Sequence, residues 1–242
     1  MIQVFIKEFT GYLNSLIAYI VIGVFITASG LLIWVFPESN IFDFGYADLS
    51  TLFVFGPYVM MFLIPAITMR MFAEEKKSGT FEILMTRPVS DWEIILGKYL
   101  AGVLLVAFSI LPTLIYYFSI WQLGNPPGNI DTPGVVGSYI GFMLLGSVFV
   151  AIGLLASTLT ENQVISFVLA TFLCFVFFDG FGSIAGLWEW NENVLLIDQL
   201  GISYHYTTMS KGLIDSRNLI YFLGVVSSFL MLTRFIIGSR KW

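Results

Sequence analysis

The chain has 242 residues, 57% of them hydrophobic and 11% charged, with a formal net charge of −5. Soluble domains carry roughly 25% charged residues, and a water-soluble fold of this size has no interior large enough for so much apolar surface. A soluble enzyme or a nucleic-acid-binding domain is thereby excluded, and six uncharged stretches mark the chain as a polytopic membrane protein: Phe9 to Pro37, Leu49 to Met69, Tyr99 to Ile130, Thr132 to Thr160, Asn162 to Phe178 and Asn218 to Thr233. A bilayer core needs about 20 apolar residues per helix. Four stretches exceed that, the fifth is short, and the sixth reaches it only if Arg234 extends its stem toward the headgroups.

Residues 2–16 alternate apolar Ile2, Phe5, Ile6, Phe9, Tyr12, Leu13 and Leu16 with polar Gln3, Lys7, Thr10 and Asn14. That spacing predicts a two-faced helix lying in the membrane surface. The N-terminus lacks the short apolar core and small-residue cleavage site of a signal peptide, so the first span, 17–36, is expected to stay in the protein. The second span, 51–69, contains Pro57 and Pro65, which remove backbone hydrogen bonds that neighbouring groups must replace.

The segment 70–93 is the one long polar region between spans on its side. Its first part, from Arg70 to Lys77, reads as a continuation of the second helix. Gly79 suits a left-handed cap, Thr80 to Thr86 form a separate short helix, and the Arg87-Pro88 step ends it. Ser90-Asp91-Trp92-Glu93 is a capping box flanked by Val89 and Ile94 as a hydrophobic staple, which opens the helix of the third span, 95–121, with a kink expected at Pro112.

After the turn-rich Gly124 to Asn129 loop, the fourth span, 135–158, carries Gly137, Gly141, Gly146, Ala151, Gly153 and Ser157, small residues that let helices approach closely. The fifth span, 163–180, ends at Asp179-Gly180. The stretch 181–217 is too apolar for a solvated loop and too interrupted to cross, which fits short interfacial or re-entrant helices. The sixth span, 217–237, is opened by Asp215-Ser216 and closed by Gly238 before a basic tail. The fold class is thus an all-α membrane protein with six spans in a single domain, 1–242.

With alternating helices, nine of the eleven Lys and Arg residues fall on one side, leaving Lys211 and Arg217 opposite. The basic side is the cytoplasm, so both termini are expected there. The acidic total comes from external loops and implies no nucleic-acid partner.

The sequence offers no chemistry of its own. No Gly-x-x-x-x-Gly-Lys-Ser/Thr phosphate loop occurs, the one histidine, His205, is external, and Cys174 has no partner for a disulfide. No metal and no catalytic residue are expected. Asp179 is the one acidic group within a predicted span, at the external end of the fifth, and a transport role is set against simple interfacial solvation or helix capping.

The segment Phe72-Ala73-Glu74-Glu75-Lys76-Lys77-Ser78-Gly79-Thr80-Phe81-Glu82-Ile83-Leu84-Met85-Thr86-Arg87-Pro88-Val89-Ser90, followed by Gly97-Lys98-Tyr99-Leu100-Ala101, resembles the cytoplasmic loop of type-2 ABC exporter permeases. A second stretch, from His205-Tyr206 through Gly212 to Phe222, is similar to the pattern before the last helix of that family, and within it the chain most resembles the gliding-motility-associated branch of Bacteroidetes. The resemblance implies a permease that couples ATP hydrolysis by a separate cytoplasmic ATPase subunit, which holds ATP and Mg, to export. It also implies that Glu74, Glu75, Gly79, Thr80, Glu82, Leu84, Thr86 and Pro88 form the ATPase-coupling element. A working transporter of this kind contains a second permease chain, the same or different. Because this chain has little mass outside the membrane, any periplasmic domain is expected on a larger companion permease. The alternative reading is a membrane anchor for a gliding or secretion machine that transports nothing.

Overall fold

A computed structural model describes residues 1–37, 39–44, 47–86, 88–187, 197–212 and 215–239. Among these residues the chain is all helical, and six helices are long and apolar enough to cross a membrane. The expectations placed on Arg87, on residues 188–196 with their two tryptophans, on residues 213–214 and on the basic tail from residue 240 lie outside the described residues.

Helix α1 (Ile2–Leu13) is the expected surface helix. Its Val4 side packs on Gly97, where an added Cβ would lie 2.9 Å from Val4 Cβ, while Ile2 and Ile6 stay exposed. Asn14 ends α1. Ser15 then caps α2 (Leu16–Trp34) by accepting a hydrogen bond from the Ile17 N–H at 3.3 Å. A short α3 (Ile41–Phe44) precedes α4 (Ser50–Thr68), which holds both prolines without breaking. Pro57 has no N–H for the carbonyl of Phe53, and the Tyr206 hydroxyl donates to that carbonyl instead, at 2.7 Å. This is the replacement of a lost hydrogen bond that a proline inside a span requires.

The second helix does not continue unbroken as the sequence predicts. A turn occupies residues 69–72, where the Met71 N–H bonds to Thr68 O, three residues back, and α5 (Ala73–Lys77) starts afresh. Gly79 has φ +70°, the left-handed geometry expected, and α6 (Thr80–Met85) follows it. The capping box then forms in full: Ser90 Oγ accepts from the Glu93 N–H at 3.3 Å and Glu93 Oε2 accepts from the Ser90 N–H at 3.1 Å. It opens α7 (Asp91–Ile110), which passes through a 3₁₀ turn at Leu111–Thr113 into α8 (Leu114–Leu123). The irregularity falls at Pro112, as its missing N–H dictates.

Helix α9 (Thr132–Leu159) is the axis of the bundle. Over its most apolar eighteen residues it is 78% buried, against 22% to 56% for the other spans. Its small residues are used inside the chain. Gly137 and Gly141 lie against α12 (Ile202–Ser210), Gly146 against Val106 of α7 and Gly153 against Thr68 of α4. Between helices in a bilayer the hydrophobic effect gives little drive, so this close packing is what holds the bundle together.

Helix α10 (Gln163–Phe175) runs through a π-helical turn at Val176–Gly180 into α11 (Phe181–Leu187), seven residues beyond the end predicted from Asp179-Gly180. Gly180 keeps a helical neighbour on each side, so it does not act as a stop. The last span is α13 (Ser216–Ser239), which also runs past its predicted stop at Gly238. Asp215 caps it by accepting from the Arg217 N–H at 3.0 Å. Helix α12 is a short element between the fifth and sixth spans, where one was expected, whereas α11 belongs to the fifth span.

Tyr206 permits a direct test of the Pro57 repair. Tyr206→Phe leaves a buried carbonyl without its donor, which costs about 1–3 kcal/mol. The expected outcome is a lower unfolding midpoint in detergent, and restoring the backbone donor with Pro57→Ala in the same chain should recover part of the loss.

Candidate functional site

The polar side chains of the molecule concentrate at the end that carries α1 and the α5–α6 hairpin. The hairpin stands out from the bundle on the left-handed Gly79, a geometry that side-chain-bearing residues adopt at a cost of roughly 1–2 kcal/mol. Its outward surface holds Glu74, Lys77, Ser78, Gly79, Thr80, Glu82, Ile83, Thr86 and Pro88, all exposed. Ser78 Oγ and Thr80 Oγ1 lie 2.8 Å apart across the turn and tie its two arms together.

The inward surface anchors it. Phe81 is buried with its ring edge-on to Phe72 at 6.0 Å, and Leu84 is half-buried against the core. Lys76 donates to the carbonyl of Thr158 at the end of α9 and sits 5.7 Å from the Phe81 ring. The end of a helix leaves its last carbonyls unpaired, so a lysine there satisfies both charge and hydrogen bonding.

Beneath the hairpin lies an ion cluster that the sequence did not reveal. Lys98, counted from sequence among the cytoplasmic positive charges, is 1% exposed. Its ammonium donates to Glu8 Oε1 at 2.9 Å and to the Met71 carbonyl at 2.7 Å, and lies 2.9 Å from Glu75 Oε1. The ring of Phe72 is 5.1 Å away. Lys7 reaches the same Glu75 oxygen at 3.3 Å. One side chain thus joins three elements: α1 through Glu8, the hairpin base through Glu75 and Met71, and the third span through Lys98 itself. Burial, followed by the charges of Glu8 and Glu75, pushes the nearby Tyr12 hydroxyl well above its usual range, so it stays neutral.

Of the eight residues proposed from sequence for coupling, six therefore face outward on the hairpin. Glu75 is committed to the buried cluster, and Leu84 turns toward the core. Ile83, beside Leu84, is 60% exposed and is the apolar side chain on the outer surface. Helical geometry explains the exchange. With Phe81 buried, Leu84 three residues on falls on the same face and Ile83 on another.

Asp179 sits at the opposite end, within the π turn, and accepts a hydrogen bond from the Tyr58 hydroxyl at 3.0 Å. Both line a cavity of about 460 Å³ whose walls include Phe53, Phe178 and Tyr206 and whose rim carries Asp48 and Asp131. Asp48 and Asp131 each accept a backbone N–H at the start of a helix. His205 lies nearby, its Nδ1 2.8 Å from Asn218 Oδ1 and its ring stacked on Tyr221 at 3.9 Å. Among the described residues no group of three His, Cys, Asp or Glu side chains is placed to hold a metal. Cys174 is buried and unpaired.

A search of curated proteins returns no match to the chain. The profile of the family described as ABC-2 family transporter protein matches residues 2–234, which takes in α1, the hairpin and all but the last residues of α13. With six membrane-crossing helices and that match over nearly its whole length, this chain belongs to the ABC-2 family of transporter proteins.

Proposed function

We propose that the chain is the membrane-spanning permease of an exporter whose ATP and Mg are bound by a separate ATPase subunit, and that the α5–α6 hairpin seats on that subunit. The observation that carries this reading is the hairpin itself: an exposed helix with Glu82 and Ile83 outward, fixed to the bundle by Lys76 at α9 and by the Lys98 cluster at α1 and α7. An element that receives force must be exposed where it is pushed and rigid where it transmits. The hairpin meets both conditions.

The hairpin end faces the cytoplasm in this reading, because six of the eight described Lys and Arg residues, Lys7, Arg70, Lys76, Lys77, Lys98 and Arg234, lie at that end, and the basic side of a membrane protein is the cytoplasmic one. The membrane is then the bacterial inner membrane, with both termini inside. A second permease chain completes the transporter, and the small size of the opposite end favours a larger companion that carries any periplasmic domain. The likeness of 72–90 and 205–222 to the gliding-motility branch supports a place in that system. Asp179 and the cavity beside it lie where cargo would leave.

The test is purification of the tagged chain from its own membrane in mild detergent. A P-loop ATPase is expected to accompany it, and Glu82→Arg with Ile83→Asp should reduce its recovery at least tenfold while extraction of the chain is unchanged. If no ATPase accompanies the unaltered chain, the reading moves to a membrane anchor. If the double variant retains it fully, the hairpin is not the seat.

A further inference from the structure

The cavity beside Asp179 is lined on one chemical principle. Among the described residues its walls include three carboxylates, Asp48, Asp131 and Asp179, and no lysine, arginine or histidine. Seven hydroxyls also line it, and five of them have spent their protons on oxygens of the protein. Tyr58 donates to Asp179 at 3.0 Å and Tyr206 to the Phe53 carbonyl at 2.7 Å. Ser138, Thr207 and Ser210 donate to the carbonyls of Gly134, Ser203 and Tyr206 at 2.8, 2.9 and 3.1 Å. Such a hydroxyl has only lone pairs left for a ligand, and an ionised carboxylate has nothing else to give. Asp48 and Asp131 each use Oδ1 for a backbone N–H and Asp179 uses Oδ2 for Tyr58. The second oxygen of each has no partner among the described residues.

The cavity therefore offers acceptors and calls for donors. Walls of one charge sign concentrate the opposite charge, which selects a cation with N–H groups and rejects phosphates and carboxylates. Aromatic rings reinforce that choice, because their faces attract cations. Tyr58 lies edge-on to Phe178 at 5.8 Å, and Phe178 packs on Tyr206 at 6.2 Å. Two observations set the length of the ligand. The three carboxylates are too dispersed to hold one metal ion together. Asp48 is tied to Ser50 at the start of α4, whereas Asp179 is tied to Tyr58, and the eight residues between these two anchors rise about 12 Å along the helix axis. The volume of about 460 Å³ falls in the ordinary range for small-molecule sites.

We propose that this cavity binds a diamine or polyamine, a flexible methylene chain with primary ammonium groups at its ends. One ammonium donates to Asp179 beside the rings of Tyr58 and Phe178. The other donates to Asp48 and Asp131 at the rim, and the methylenes lie along Phe53 and Val54. The proposal rests on the proposed function only for the side from which the amine enters. Binding itself needs neither the ATPase nor transport.

The test therefore uses the purified full chain in detergent, without ATPase, titrated by calorimetry with hexamethylenediamine, the amino alcohol and the diol of the same length, and hexamethonium. Replacing one ammonium by a hydroxyl is expected to weaken binding about tenfold, the worth of a hydrogen bond to a charged group, and replacing both should abolish it. Hexamethonium keeps both charges without an N–H and is expected to bind about tenfold more weakly than the diamine. Asp179→Asn keeps an acceptor for Tyr58 and should bring the diamine down to the level of the amino alcohol, with the ligand-free unfolding midpoint as the check on folding. Asp131→Asn, a substitution that retains the helix cap, should weaken the diamine as well. Equal affinity across the four molecules, hexamethonium as tight as the diamine, or no binding of any of them overturns the proposal. Diamine binding by a chain that no ATPase accompanies would leave this site standing and remove the permease reading. An accompanying ATPase with no diamine binding would do the reverse.

Discussion

Lys98→Met is expected to lower the stability of the chain by about 3–5 kcal/mol, the usual consequence of removing one partner from a buried ion pair. The side chains have similar volume, so packing around Phe72 is kept and the loss is electrostatic. Glu8 and Glu75 would be left facing each other without the cation that now lies 2.9 Å from each. By the scaling for chains of this size, the unfolding midpoint should fall by roughly 10 °C. Adding Glu8→Gln and Glu75→Gln to Lys98→Met removes the uncompensated charge, and such neutral replacements are often tolerated. The triple variant is therefore expected to recover most of the loss. A single variant as stable as the unaltered chain, or a triple variant no better than the single one, would show that the cluster does not hold α1 to the hairpin.

The triple variant also separates folding from transmission. It keeps the outer surface of the hairpin, with Glu82 and Ile83 in place, but loosens the link from Glu75 to α1 and α7. Under the proposed function it should still bind the ATPase while stimulating hydrolysis and export less than the unaltered chain does. Loss of binding instead would mean that the cluster shapes the seat itself.

The features that were legible in the sequence share a physical origin. Capping at Ser90 and Glu93, the left-handed turn at Gly79 and the irregularity expected at Pro112 are each decided within four or five residues, so local chemistry determines them. The six spans follow from composition and length in the same way. The ion cluster does not. Lys98 meets Glu8 and Glu75 across 90 and 23 positions, and nothing near Lys98 distinguishes a buried lysine from a charge marking the cytoplasmic side. The one available signal was a cation eight residues past the helix cap at Ser90, already inside the apolar run. The end of the fifth span was misplaced because Asp179-Gly180 has the composition of a stop, whereas the Tyr58 hydroxyl takes up the carboxylate and lets the helix proceed. The small residues of α9 were legible as sites of close approach, but their partners on α4, α7 and α12 were not, since small residues serve any neighbour equally.

The seam between α4 and α9 is where a second large effect is expected. A Cβ added at Gly153 would meet Thr68 Oγ1 at 2.0 Å and Thr68 Cβ at 2.8 Å. Turning the Thr68 side chain moves its oxygen but not its Cβ, so the two helix backbones must separate. Overpacking of this kind costs about 1–3 kcal/mol. Gly153→Ala is accordingly expected to lower the unfolding midpoint, and Thr68→Ala in the same chain, which removes the closest atom, should recover part of the loss. Additive losses in the pair would mean the clash is relieved elsewhere. The site also has a consequence for the proposed mechanism. The hairpin follows α4 a few residues beyond Thr68, and Lys76 fastens it to Thr158 at the end of α9, five residues past Gly153. Under the proposed function, motion received by the hairpin enters the bundle through these two helices, and at Gly153 the Thr68 side chain of α4 packs directly on the backbone of α9. Gly153→Ala opens that contact, so in a reconstituted transporter it should reduce export per ATP hydrolysed more than it reduces ATPase binding.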